Sequence, residues 1–162
     1  MPVVGLLVLA AVVIRGKAAD NEGAQNVRVA VAGAHLVAGL VHETQRERGR
    51  TSIVLAGAAG AEAALRTQQD ATNAGVDRLR GWRPERALAP TLQASFDAYL
   101  RALGGLEALR ADARQPGAEG IVARYTALNE RGLALLDQVA TLSGQAELAQ
   151  LTRAVATLSQ AI

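Results

Sequence analysis

From Ala24 to Leu55 the chain contains no proline, and its apolar residues recur at steps of three and four. A strand cannot use that spacing, because its side chains alternate between two faces with a period of two. The segment therefore predicts one long helix, long enough to act as a bundle or coiled-coil element. Asp20-Asn21-Glu22 places acidic residues near its positive end, and Gly57 to Gly60 ends it.

The remainder reads the same way. Ala61 to Trp82 predicts a second, more polar helix anchored by Leu65, Val76, Leu79 and Trp82. Arg83-Pro84-Glu85 marks a turn, since the residue before a proline is pushed away from helical geometry. A third helix is expected from about Pro84 to Arg114, kinked or restarted at Pro90, with Leu92, Phe96, Tyr99, Leu100, Leu103 and Leu106 on its face. Gln115-Pro116-Gly117 is the clearest loop signal, and Ala118 to Leu142 follows as a fourth helix striped by Ile121, Val122, Tyr125, Leu128, Leu135, Leu136 and Val139. Ser143-Gly144 is expected to interrupt it before a fifth helix begins.

Composition agrees. Half of the 162 residues are hydrophobic but only 2% are aromatic, so the core must be built from Ala, Leu and Val. Ala and Leu are strong helix formers, whereas strands prefer β-branched and aromatic residues. The expected class is all-α: an up-and-down four-helix bundle over residues 20–143, with a further helix starting at 145–162 and leading toward a second half. A chain of this length can bury one core and is also short enough to be part of a larger receptor.

Residues 1–17 read differently. Pro2 to Ile14 is uninterrupted apolar or glycine sequence closed by Arg15, Gly16 and Lys17. At roughly 1.5 Å per residue the run covers about two thirds of a ~30 Å hydrocarbon core, so it predicts part of a transmembrane or membrane-proximal helix. The alternative is a buried first helix of a soluble bundle.

Several functions are excluded. Lys and Arg total 17 against 15 acidic residues, with no basic block and few stacking aromatics, which argues against nucleic acid as a partner. The absence of cysteine removes disulfides, thiolate metal sites and cysteine nucleophiles. His42 and His35 stand seven residues apart, too far for one metal ion, and neither has paired carboxylate or cysteine ligand spacing. No phosphate-binding glycine loop and no catalytic triad emerges, so no enzyme activity, cofactor or metal is expected.

The polar middle of helix one carries the remaining chemistry. Read as heptads, it predicts a seam of Val27, Val31, Ala34, Ala38, Val41, Gln45, Arg48, Ser52 and Leu55. At about 100° per residue this places Arg48 toward the core, with Arg46 and Arg50 facing solvent and pairing with Glu43 and Glu47. The neighbours of Arg48 at three and four residues are Thr44, Gln45, Thr51 and Ser52, hydrogen-bonding groups without charge. A core-facing guanidinium needs a counter-charge, from an acid on another helix or from a bound anion. A small planar oxyanion matches its rigid fork of N–H donors. Gly33, Gly39 and Gly49 cost helix stability and make sense where another backbone approaches closely.

The run Leu40-Val41-His42-Glu43-Thr44-Gln45-Arg46-Glu47-Arg48-Gly49-Arg50-Thr51-Ser52 resembles the opening motif of the nitrate- and nitrite-sensing (NIT) domain family. The resemblance extends over about Val27 to Ile162, and Tyr125 to Leu128, Leu135-Leu136 and the last segment contribute to it. It implies an all-α ligand-binding module of two helical bundles, found in membrane-anchored receptors and in soluble antiterminators. Ligand is held in such modules by arginines from both halves. Arg48 matches the motif arginine, while Gly49 stands where some members carry a second one.

The expected function is a receptor's sensor domain, outside the cytoplasm, that binds nitrate or nitrite and relays helix movement to an output module. The expected ligand set is Arg48, Gln45, Thr44, Ser52 and Thr51, with Arg50 and Arg131 as weaker candidates. A homodimer and a membrane contact through the N-terminal segment are the expected partners. The alternative is a structural dimerisation module without a small-molecule ligand.

Overall fold

The computed structural model describes the backbone of residues 2–115, 118 and 120–159, and the side chains of 22–115, 118 and 120–145. It contains α1 (Pro2–Leu55), α2 (Ala61–Gly81), α3 (Pro90–Leu103), α4 (Leu106–Asp112) and α5 (Ile121–Ser159), with no strand among the described residues. The all-α, up-and-down class expected from the sequence is therefore correct. α1 packs against both α2 and α5, and α3 and α4 close the opposite side over α5. Register contacts fix the directions. Arg50 reaches Ala64 of α2, and Leu40 lies against Gly75, so α1 and α2 are antiparallel. Arg48 reaches Thr126 of α5 and Val41 lies against Gly132, so α1 and α5 are antiparallel too.

Two helix ends follow from glycine. Gly57 and Gly60 adopt φ of 77° and 76°, left-handed conformations that side chains resist, and they turn the chain from α1 into α2. The third helix differs from its expected span. Residues 84–89 are not helical, and α3 starts with Pro90 in its first turn. A helix begun at Pro84 would meet Pro90 in its interior, losing an N–H and clashing one turn back. Gly104-Gly105 then separates α3 from α4, a break not anticipated from the sequence. Ser143-Gly144 does not interrupt α5. The Ser143 hydroxyl donates to the Val139 carbonyl at 2.9 Å, and a single glycine costs a helix only about 1 kcal/mol. The helical segment expected near the C-terminus is thus present as the continuation of α5.

The apolar core grades along the bundle. Near the α2–α3 connection, Trp82 and Phe96 rings stack tilted, with centroids 5.3 Å apart, against Gly33 of α1. Midway lie Leu40, Val41, Tyr99 and Leu103, and Gly132 leaves room for the Tyr99 ring. Toward the α1–α2 turn the buried residues of α1 become Thr44, Glu47 and Thr51. The apolar segment 1–17 shares the unbroken backbone of α1 from Pro2 onward, and its side chains lie outside the described residues. Among the described residues, Glu22–Leu55 is long and apolar enough to cross a membrane by length and composition, but the same stretch is the central helix of this bundle.

Candidate functional site

The buried strip of α1 runs through Ala30, Gly33, Val37, Leu40, Thr44, Glu47 and Thr51, with Val41 of the expected seam buried beside it. Its steps of three and four are those of the expected seam, but displaced by one residue, a rotation of about 100°. Arg48 therefore does not face the core. It is half-buried, Gln45 is exposed, Ser52 is half-buried, and Val31 and Leu55 are 37% and 41% exposed. Glu47 faces the core with Leu40, Val41, Thr44 and Thr51, completely buried rather than solvated beside Arg50. The Glu43–Arg46 pair does form on the outer side, at 3.8 Å.

Glu47 is held by α4 and α5. Arg110 donates from Nε to Oε1 at 2.7 Å and from Nη2 to Oε2 at 2.9 Å, a bidentate clamp. The Tyr125 hydroxyl donates to Oε1 at 2.7 Å. The remaining N–H groups of Arg110 go to Asn73 Oδ1 at 2.7 Å, to Glu107 and to the Gln69 carbonyl at 3.3 Å. Its donors are thus fully committed. Burial pushes the Glu47 carboxyl up. Hydrogen bonds from Arg110, Thr72 and Tyr125, together with the Arg110 charge, outweigh that and hold it below its ordinary value. Burial likewise pushes the Tyr125 phenol up, and its bond to the Glu47 carboxylate pushes it further.

The candidate ligand residues separate onto three sides of α1. Thr44 and Thr51 flank Glu47 and point inward. The Thr44 hydroxyl lies 3.0 Å from the carbonyls of Leu40 and Val41 and meets the Asn129 side chain. Thr51 Oγ1 is buried beside Tyr125 and makes no regular hydrogen bond. Gln45, Arg48 and Ser52 share an outer strip. There Arg48 Nη1 donates to Thr126 Oγ1 at 2.9 Å, and among the described residues it makes no ion pair. The Ser52 hydroxyl caps the Arg48 carbonyl at 3.0 Å. Arg50 lies partly exposed on the outer side as expected, but it does not pair with Glu47 and donates instead to the Ala64 carbonyl of α2 at 2.8 Å. Arg131 is exposed on α5, five residues beyond Thr126 and beside open grooves facing α3 and α4.

Gly33, Gly39 and Gly49 are expected to meet another backbone, and among the described residues none does: Gly33 is crowded by the side chains of Trp82 and Phe96 instead. A Cβ there would lie 2.5 Å from the Trp82 ring. Gly39 and Gly49 have open space where a Cβ would stand.

Sequence reasoning missed Arg110, Tyr125 and Asn73 as partners of the motif, and placed Glu47 on the wrong side. A signal was present in Thr44 and Thr51, one turn before and one after Glu47. Another lay in Arg110, which follows the buried Leu106 and Leu109 on a short helix.

Beyond the buried clamp lies a cavity of about 280 Å³, lined by Thr51, Val54, Leu65, Arg110, Arg114 and Tyr125 among others. Among the described residues no group of His, Cys, Asp and Glu could hold a metal ion.

Fold and site together define an all-helical bundle whose first helix carries a buried acidic anchor beside an outward arginine that pairs with no carboxylate among the described residues. Its chemistry is ion pairing and hydrogen bonding. The sequence profile of the NIT family, described as nitrate and nitrite sensing, matches residues 39–162, and the chain belongs to that family. No curated protein and no solved structure matches the chain.

Proposed function

We propose that this chain is the arginine-bearing bundle of a nitrate- or nitrite-responsive receptor, and that Arg48 carries the anion. The observation behind this reading is the state of that guanidinium. One of its five N–H groups donates to Thr126, and the others have no protein partner among the described residues. A planar trigonal oxyanion can take two parallel N–H bonds from such a fork, with Gln45 one turn before it on the same strip. A single half-exposed arginine holds an anion weakly, at most about 1 kcal/mol by the measure of surface ion pairs. The complete site therefore needs a second contribution. Val31, Ala38, Gln45 and Leu55 are exposed on the strip that carries Arg48, as a second copy of the chain or a second bundle would require, while Val41 on the same strip packs within the bundle.

In this reading the receptor is membrane-anchored through the N-terminal segment, with the bundle outside the cytoplasm, and ligand favours one of two packings across that strip. The test is thermal denaturation with nitrate, nitrite, sulfate and acetate. Nitrate or nitrite should raise the melting temperature of the wild type and leave Arg48→Ala unmoved. An equal rise in both proteins refutes the role of Arg48. The exposed heptad strip also favours a second reading, a dimerisation module with no ligand. Sedimentation would then show a dimer whose stability is indifferent to every anion.

A further inference from the structure

The cavity beside the Glu47 clamp does not have Arg48 among its lining residues. It opens between the end of α1, the start of α2, α4 and the start of α5. Val54, Leu55, Leu65 and Ala113 give it an apolar wall. Thr51 Oγ1 lies on the inner side, 2% exposed as a residue and beside the Tyr125 hydroxyl without regular hydrogen-bond geometry, and a buried hydroxyl left poorly paired costs about 1–3 kcal/mol. A ligand atom that bonds to it removes that cost. Arg110 forms part of the wall but takes no part in recognition, because Glu47, Glu107, Asn73 and Gln69 occupy its donors.

The outer lining residues set the charge. Glu62 pairs with Arg66 at 3.5 Å, and both are largely exposed. Arg114 is exposed and makes no ion pair among the described residues. Arg66 and Arg110 have carboxylate partners, so Arg114 is the lining cation without one among the described residues. A volume of about 280 Å³ lies at the lower edge of the range for small-molecule pockets, larger than nitrate needs.

We infer that this cavity binds a short monocarboxylate with an aliphatic or aromatic body, its apolar part against Leu65 and Val54, its carboxylate within reach of Arg114, and a polar contact to Thr51. Such a ligand would rest directly on the Glu47–Arg110–Tyr125 cluster, while Thr126, the next residue after Tyr125, holds Arg48. The site does not depend on the proposed role of Arg48.

Hexanoate and benzoate are the probes, with hexanol and nitrate as controls, followed by NMR chemical shifts on the full chain. Saturable shifts at Thr51, Leu65 and Ala113 are expected with both carboxylates. Ala113→Leu, which fills the cavity, should weaken binding at least tenfold, and Leu65→Phe provides a second filling variant should the first fail to fold. Arg114→Gln should weaken hexanoate severalfold without affecting hexanol, and Arg48→Ala should leave both carboxylates unchanged. The proposal is overturned if neither carboxylate saturates, if the filling variants bind as wild type, or if hexanol binds as tightly as hexanoate. Loss of carboxylate binding in Arg48→Ala would also overturn it, by placing the ligand at the other site.

Discussion

Glu47 and Arg48 are neighbours in sequence and opposites in environment. The glutamate is completely buried, clamped by the Nε–Nη2 edge of Arg110 and by Tyr125, and makes α1 part of the bundle. The arginine is half-buried, touches one hydroxyl of α5, and makes no ion pair among the described residues. One step along a helix is about 100° of rotation, so adjacent residues of a single motif lie nearly at right angles. The inward side anchors α1, and the outward side carries a guanidinium with one hydroxyl partner and no ion pair among the described residues. Neither could do the other's work. An arginine already clamped has no donors to offer, and a free one contributes little to stability.

The contrast can be tested from its strongest side. Glu47→Ala leaves Arg110 buried without its main counter-charge and should cost about 3–5 kcal/mol in urea denaturation, with Arg110→Ala of similar size and the double variant far below the sum. A loss under about 1 kcal/mol would mean that the clamp does not anchor α1.

The same anchor sets a pH limit. Because the folded carboxyl is held below its ordinary 4.5, its stabilisation is complete above that value and is lost as pH falls below it, through the folded value. Tyr99 and Tyr125 are pushed above their ordinary 10.0, so their stabilisation is complete below pH 10 and falls away as pH rises past it. Melting curves across pH should therefore show both limbs, and the Glu47 contribution should vanish from the acid limb in Glu47→Gln.

Gly132→Ala should cost about 1–3 kcal/mol, since its Cβ would strike Val41 and stand 3.0 Å from the Tyr99 ring. Gly49→Ala tests the outward side. With open space around it, the change should stabilise the chain by about 0.5–1 kcal/mol in a thermal melt, and a destabilisation would reveal a surface already covered. Arg48→Ala should be smallest, within about 0.5 kcal/mol, while removing the response to nitrate.

The helical class, the face of α3 and the turn at Gly57 to Gly60 were legible in the sequence because each rests on local chemistry. The rotation of α1 was not. Two strips of that helix offer comparable apolar patterns, and the expected seam even holds the larger residues at Val31 and Leu55. Glu47 counts against its own strip until Arg110, 63 residues away, is folded onto it. No local rule carries that partnership, whereas the burial of Gly33 under Trp82 shows the same tertiary choice at the other end of the strip. The motif as a whole was legible. Which of its residues turns inward was a question of packing.

α1 runs unbroken from Pro2 to Leu55, and its strongest fixed point is Glu47, near one end. That arrangement is a lever with its pivot off centre. The arm from Glu47 to Pro2 is roughly 65–70 Å at 1.5 Å per residue, so a tilt of about 3° at the pivot displaces the far end by ~3–4 Å. A tilt of that size at the clamp would carry the far end through a distance as large as the spacing between packed side chains, with the contacts at Gly33 and Ala30 lying along the arm to resist it.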